Sequence, residues 1–246
     1  MAEHRLLARP PLREAIIDLH IADELPTSFV ERIAGQSLVG FEAAIPIWRG
    51  KYTFQVGMDQ SAAPGPTGGT NERYGLRYVT ADGSRVAQFR RDGATFSVLR
   101  DYANWEETKA KARMLWTQYY EWGSPKEVTR LAVRYINVLD VPIGMDFDLY
   151  LAAGPRIPPE LPQILGGFLH RVVIPFSTDG ITAIVTQAME SPSDVGVPVV
   201  LDIDVYYTCK LEASSPSLWS EFDRLRDIKN QIFFSSVTEK ALEPYR

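Results

Sequence analysis

Apolar and polar positions alternate with a period of two along most of this chain, and the period lengthens to that of a helix in only a few stretches. The plainest alternation runs from Val128 to Ile143. Leu131, Val133, Tyr135 and Leu139 fall on one side of it, while Arg130, Arg134 and Asp140 fall on the other. β-Branched and aromatic residues dominate the stretch, which therefore predicts one long strand with a buried face and a polar face. Arg13–Ile21 repeats the pattern, with Ala15, Ile17, Leu19 and Ile21 inward and Glu14, Asp18 and His20 outward. Shorter alternating runs predict strands at Ile45–Met58, Tyr74–Thr80, Arg85–Arg90, Thr95–Arg100, Leu169–Phe176, Ile181–Ala188 and Val199–Cys209. Asp82-Gly83, Asp92-Gly93 and Asp179-Gly180 separate neighbouring runs, and Asp-Gly between alternating segments is a strong hairpin signal.

Helical spacing is confined to a few places. Leu25–Gly35 reads as a short helix with Pro26 near its start and Gly35 as its stop. Asn104 is placed to cap a longer one, in which Trp105, Lys109, Ala112, Trp116 and Tyr119 share a side and Gly123-Ser124-Pro125 forms the end. A short amphipathic segment is expected at Phe147–Ala153. A long helix is expected from Ser217, with Leu218, Phe222, Leu225, Ile228 and Ile232 on one side. The stretch 59–72, rich in Gly, Pro, Ser and Thr, predicts a flexible loop. No Gly-Lys-Ser/Thr follows its glycines, so it is not a phosphate cradle.

The order of elements then repeats. Residues 13–122 read strand, helix, a run of strands, helix, and residues 128–243 read the same with a shorter first helical segment. Each closing helix carries a tryptophan at its start, Trp105 and Trp219. The expected fold class is α+β: two pseudo-duplicated β-α-β-β-β-α units in residues 1–246, forming one compact domain. A curved, mostly antiparallel sheet backed by helices would let the units meet edge to edge and hide a strand edge from each.

Composition narrows the function classes. The chain has 246 residues, 45% of them hydrophobic and 23% charged, as expected of a globular protein. With 26 basic and 31 acidic residues the net charge is −5, which disfavours nucleic acid as a partner. Cys209 is the single cysteine, so an internal disulfide is excluded and a reducing, cytoplasmic setting is expected. No stretch approaches the ~20 apolar residues of a membrane span, and the first residues do not read as a secretion signal.

Catalytic and metal motifs are lacking. His4, His20 and His170 are the histidines, no Gly-x-Ser-x-Gly elbow occurs, and neither His-x-x-x-His nor Cys-x-x-Cys is present. No catalytic residue, metal or cofactor is therefore expected. Paired carboxylates at Glu14/Asp18 and Asp202/Asp204 fit a solvent-facing strand better than a cation site. Arg130 and Arg134, with Arg77, Arg85 and Arg171 as further candidates, either join cross-strand ion pairs or present guanidinium forks to an anion. The residues expected to bind are Arg130, Arg134, Tyr135 and Asn137, with Glu14 and Trp48 behind them.

Pro11-Leu12-Arg13-Glu14-Ala15, the segment Phe96–Tyr102 followed by Trp105-Glu106, and the block Arg130–Asn137 with Pro142 resemble a sporadically distributed group of bacterial and archaeal proteins of similar length. The likeness spans essentially the whole chain, and the Arg-Tyr-Ile-Asn block is its most specific part. The last helix departs from it, lacking a histidine near Asp227. No activity is assigned to that group, so the resemblance implies a single-unit architecture and no chemistry. The leading expectation is a non-enzymatic module that binds a small ligand or a protein on the polar face of its sheet. The alternative is an enzyme acting on a phosphorylated or nucleotide substrate, with Arg130 and Arg134 as electrostatic stabilisers and Glu14 or Asp18 as base. A homodimer joined through the sheet face is a third possibility.

Overall fold

The computed structural model describes residues 7–42, 44–55, 65–176, 180–194 and 196–246, with backbone alone for 51–55 and 65–68. Within them, nine strands form one sheet: β1 (Leu12–Ile21), β2 (Ile45–Gln55), β3 (Gly65–Val79), β4 (Arg85–Arg90), β5 (Gly93–Val98), β6 (Glu127–Val141), β7 (Leu169–Phe176), β8 (Ile181–Met189) and β9 (Val197–Glu212). Their order is β2-β3-β4-β5-β1-β6-β9-β8-β7, and each pairing between neighbours is antiparallel. The two alternating segments that dominate the sequence are thus neighbours at the middle of the sheet. Ile17 stands opposite Val133 and Ala15 opposite Tyr135.

Period-two alternation puts every second residue of β1, β6 and β9 on one face, and the helices cover that face. The main ones are α1 (Thr27–Ile33), α2 (Trp105–Gly123) and α3 (Ser217–Ser236), with a single turn α4 (Glu239–Leu242) near the end. α1 packs on β3, α2 on β5, and α3 on β6 and β9. Ile17, Leu131, Val133, Ile203 and Val205 from the sheet meet Phe29, Tyr119, Leu218, Phe222 and Leu225 from the helices, all essentially without solvent exposure. Burial of each such side chain contributes about 1.5–3 kcal/mol. Tyr119 makes edge-on contacts with Phe29 and Phe89 at 5.4 and 5.6 Å between ring centres, tying α1 and β4 to α2.

The helix signals act where the sequence puts them. Asn104 Oδ1 accepts the Glu107 N–H at 2.9 Å and caps α2, whose last residue is Gly123. α2 and α3 are joined through Asp223, whose Oδ1 accepts from Trp105 Nε1 and from Lys109 Nζ, each at 2.7 Å. The Asp92-Gly93 turn joins β4 to β5, and Gly93 is obligatory there. A Cβ on it would lie 1.9 Å from the Leu19 carbonyl oxygen of β1.

Some expectations differ from the structure. The loop expected over 59–72 ends before Gly65, because 65–72 belongs to β3 and pairs with β2, Gly69 opposite Tyr52. Cross-strand hydrogen bonds to β2 hold a sequence of low strand propensity extended there; the rest of that loop lies outside the described residues. The segment Phe147–Ala153 contains one 3₁₀ turn, Phe147–Leu149, after which Leu151 bridges to Val237. β9 runs longer than its own alternation predicts, since it pairs with β6 from Glu127–Glu212 to Val141–Val197, while β6 ends at Val141, before Pro142 and Ile143. Asp179 of the third expected turn lies outside the described residues. Among them, no helix is long and apolar enough to cross a membrane.

Candidate functional site

The polar face of the sheet, where the arginines were expected to act, is occupied by a network of ion pairs. Asp18 lies at its centre on β1. Arg90 reaches it at 3.1 Å, Arg130 at 3.1 Å, His20 Nε2 at 3.0 Å and the Thr95 hydroxyl at 2.6 Å. Burial pushes the Asp18 carboxyl up, but the His20 hydrogen bond and the Arg90 charge outweigh it and hold the group well below the usual carboxylate range. Hydrogen bonds to Asp18 and Asp92 raise the His20 imidazole to about 9, so it is cationic at neutral pH. Arg130 also bonds Asp204 at 3.1 Å and stacks over Tyr206, 4.7 Å from its ring centre. Arg134 forms a two-pronged pair with Asp202 at 2.8 and 2.6 Å. Asp204 Oδ1 is buried with no hydrogen-bond partner, and burial raises that carboxyl.

The six expected binding residues therefore divide. Arg130, Arg134 and Glu14 share the polar face. Tyr135 and Asn137 lie on the opposite face, because odd and even positions of β6 alternate sides. Trp48 is on β2 with β3, β4, β5 and β1 between it and β6, is 57% exposed, and has the Arg73 guanidinium 5.6 Å from its ring centre.

Tyr135 and Asn137 open onto a cavity of about 300 Å³ between the helices and the sheet, at the seam of β1 and β6. Leu7, Pro10 and Leu12 of the leading segment form one wall. The turn before α2 and its first residues, notably Tyr102 and Trp105, form another, and α3 closes the third with Arg226, Lys229 and Phe233. Asp101, with φ of 56°, gives the sharp turn that brings Tyr102 over β6. The Tyr102 and Tyr135 hydroxyls are 2.8 Å apart, with their rings edge-on at 5.7 Å. Asn137 is buried and donates through Nδ2 to the Leu201 carbonyl at 3.1 Å.

No known family or curated protein matches this sequence. The chemistry of the cavity must therefore be read from its own side chains. Lys229 is its distinguishing group. It is 6% exposed, its Nζ stands 3.7 Å from the centre of the Tyr135 ring, and it donates to the Asn230 side-chain oxygen. Among the described residues no carboxylate lies within ion-pair distance of it. Burial, reinforced by the Arg226 charge and partly opposed by Asp227, lowers its ammonium to about 7. Arg226 itself pairs with Asp227 at 2.9 Å.

The spacing along α3 points to Ile228 and Ile232 instead of Lys229, but both isoleucines are only partly buried. The buried stripe is Leu218, Phe222, Leu225, Lys229 and Phe233. Its signal was a lysine at apolar spacing inside that stripe.

A second cavity, about 290 Å³, lies where α3 leaves β7 and β8 uncovered. Val172, Ile174, Phe176 and Ile232 line it, with Gln187, whose Oε1 is buried without a hydrogen-bond partner. His170 is the ionisable side chain on its walls. Among the described residues, no cluster of three or more His, Cys, Asp or Glu side chains is placed to hold a metal ion.

Proposed function

We propose that this protein binds a small carboxylate with an apolar body in the cavity between α3, the start of α2 and β6. The carrying observation is the Lys229 amine, buried in that cavity without a carboxylate of its own. An unpaired buried cation is costly, and an anionic ligand would supply the missing counter-charge. Arg226 adds positive potential on the same helix, the two tyrosine hydroxyls and Asn137 add hydrogen-bonding groups, and Leu12, Trp105 and Phe233 fit an apolar body. The cavity volume sits at the lower end of the range for ligand sites, which restricts the ligand to a small molecule.

This reading keeps Tyr135 and Asn137 as binding residues and moves the ligand away from the polar face. Arg130 and Arg134 already hold Asp18, Asp204 and Asp202, which leaves them less suited to gripping an added anion. The rival, an enzyme acting on a phosphorylated or nucleotide substrate at the polar face, is favoured by one observation: the unpartnered oxygen of Asp204 beside Arg130.

A duplicated unit is also part of this proposal, although the first half departs from β-α-β-β-β-α by one strand: β2 to β5 follow α1, whereas β7 to β9 precede α3. Its support is the strand order: each half pairs its first strand with its last, β1 with β5 and β6 with β9, and the two first strands meet. The cavity then lies beside the junction of the two units. A cytoplasmic setting goes with it, and Cys209 is a buried free thiol that burial raises to about 11.

The test is calorimetric titration of phenylacetate and other small carboxylates into the wild-type protein and into Ala103→Trp, which places an indole at the exposed rim of the cavity. Binding by the wild type that is lost in Ala103→Trp is the expected result. Binding unaffected by the indole, or no binding across the panel, would refute the proposal.

A further inference from the structure

We propose that Lys229 is a nucleophile that forms a Schiff base with the carbonyl carbon of a small oxo acid. This deepens the carboxylate-binding reading and rests on it, since the carboxylate of such a ligand would orient its carbonyl.

The Lys229 Nζ is enclosed in a cavity walled by Leu12, Trp105 and Phe233, and its ring neighbour is Tyr135 at 3.7 Å. A lysine kept for charge pairing would lie against an aspartate or glutamate. Lys109 on α2 does this, with Glu106 at 3.1 Å and Asp223 at 2.7 Å. Lys229 instead has the neutral Asn230 oxygen and the positive charge of Arg226 three residues before it. Desolvation together with a neighbouring cation is the environment that leaves a lysine amine unprotonated and reactive near neutral pH. The charged groups facing it are accounted for: Arg226 and Asp227 on its own helix, and Glu106 on α2 across the cavity, which Lys109 holds. β6 presents only Tyr135 and Asn137 to it.

The cavity supplies the groups that the reaction needs. The neutral amine attacks the carbonyl carbon, the C=O π pair moves to oxygen, and that oxygen takes a proton to give a carbinolamine. Nitrogen gives up a proton, the hydroxyl leaves as water with a second proton, and C=N forms. Overall, a carbonyl compound and a lysine ammonium become a protonated imine and water. The paired hydroxyls of Tyr102 and Tyr135, 2.8 Å apart beside the amine, supply a path along which a proton can pass to and from the departing oxygen. Leu12, Trp105 and Phe233 on the cavity wall would limit the access of water, which otherwise returns the imine to its components. Tyr102 is thus a positioning and proton-transfer residue, and Lys229 the one that bonds to the ligand.

The experiment is reductive trapping. The full chain is incubated with phenylpyruvate and sodium cyanoborohydride between pH 6 and 9, and adducts are mapped by peptide mass spectrometry. One adduct is expected on Lys229, forming on the order of tenfold or more faster at pH 7 than any on the exposed Lys240, because burial leaves a large share of the Lys229 amine neutral there. Its rate should rise with pH and level off above about 7. Lys229→Arg should remove the adduct, and Tyr102→Phe should slow trapping by a larger factor than it weakens binding. Labelling of Lys229 no faster than of Lys240 overturns the inference. Calorimetry on the same compound separates the two claims. Phenylpyruvate that binds in the wild type and is excluded by Ala103→Trp, yet is never trapped, leaves the carboxylate site standing and removes the Schiff base. Absence of both binding and trapping removes both.

Discussion

The ammonium of Lys229 and the ring of Tyr135 are stacked at 3.7 Å, one from the last long helix and one from the central strand. The contact lies on the helix-covered side of the sheet, where every other long side chain of the α3 stripe is apolar. A cation–π contact contributes on the order of 2 kcal/mol when desolvated, less than the cost of removing an unpaired ammonium from water. The lysine is therefore held at the expense of stability.

Replacing it should stabilise the fold. Because the folded-state ammonium is lowered to about 7, the folded protein binds fewer protons than the unfolded chain between about 7 and the unfolded lysine value of 10.5. Stability contributed by this group therefore rises with pH across that window, and the full penalty applies below it. Lys229→Met should raise unfolding free energy by about 3 kcal/mol at pH 6–7, as ~1.4 kcal/mol per pKa unit implies after discounting, and the gain should shrink toward pH 10. Urea denaturation across pH 6–10 reads this directly. A variant less stable than the wild type at pH 7 would contradict it.

His20 works in the opposite sense. Its folded value, about 9, lies above the 6.5 of the unfolded chain, so its contribution is complete below 6.5 and is lost as pH rises through 9. Between pH 7 and 9 the two groups offset one another. His20→Gln should unmask a rise in stability over that window, and Lys229→Met a fall. Parallel stability curves for the two variants would show that one assignment of charge is mistaken.

Asp18 is the group on which the polar face depends. Asp18→Asn leaves Arg90, Arg130 and protonated His20 close together with one carboxylate fewer, and should cost about 3 kcal/mol. Arg134→Ala breaks a pair whose arginine is 44% exposed and should cost under about 1 kcal/mol. Equal losses for the two variants, measured by denaturant midpoints, would mean that the network is not centred on Asp18.

β7 is an edge strand. Leu169 and Val173 point to one side of it with 73% and 49% exposure, and Arg171 and Pro175 on that side guard it only in part. Val173→Lys should lower self-association at high protein concentration, followed by sedimentation velocity, while leaving the denaturation midpoint within ~0.5 kcal/mol of the wild type. An unchanged sedimentation profile would place any self-association elsewhere.

The strand pattern was legible because period-two alternation in Arg13–Ile21 and Val128–Val141 is imposed by one-sided burial, which is written in the residues themselves. Asn104 and the Asp92-Gly93 turn were legible for the same reason: each acts on neighbours close in sequence. What failed to show was long-range. Pairing with β2 turned 65–72 into strand, and nothing in its glycines announces a partner. The candidate site was half legible. Tyr135 and Asn137 emerged from the central block, but grouping them with Arg130 and Arg134 ignored the alternation that separates them. Lys229 was hidden because helix phase, followed along Ile228 and Ile232, was one position out.

The middle of the sheet has a bearing on how the chain is made. β1 lies between β5 and β6, so it gains both neighbours only once residue 141 has been added. The strands and helix of the first half precede that point, while α3, which closes the lysine cavity, is added about 75 residues after β6. During translation, then, the apolar side of β6 emerges well ahead of its cover and is open to non-native contacts until residue 236 has been added.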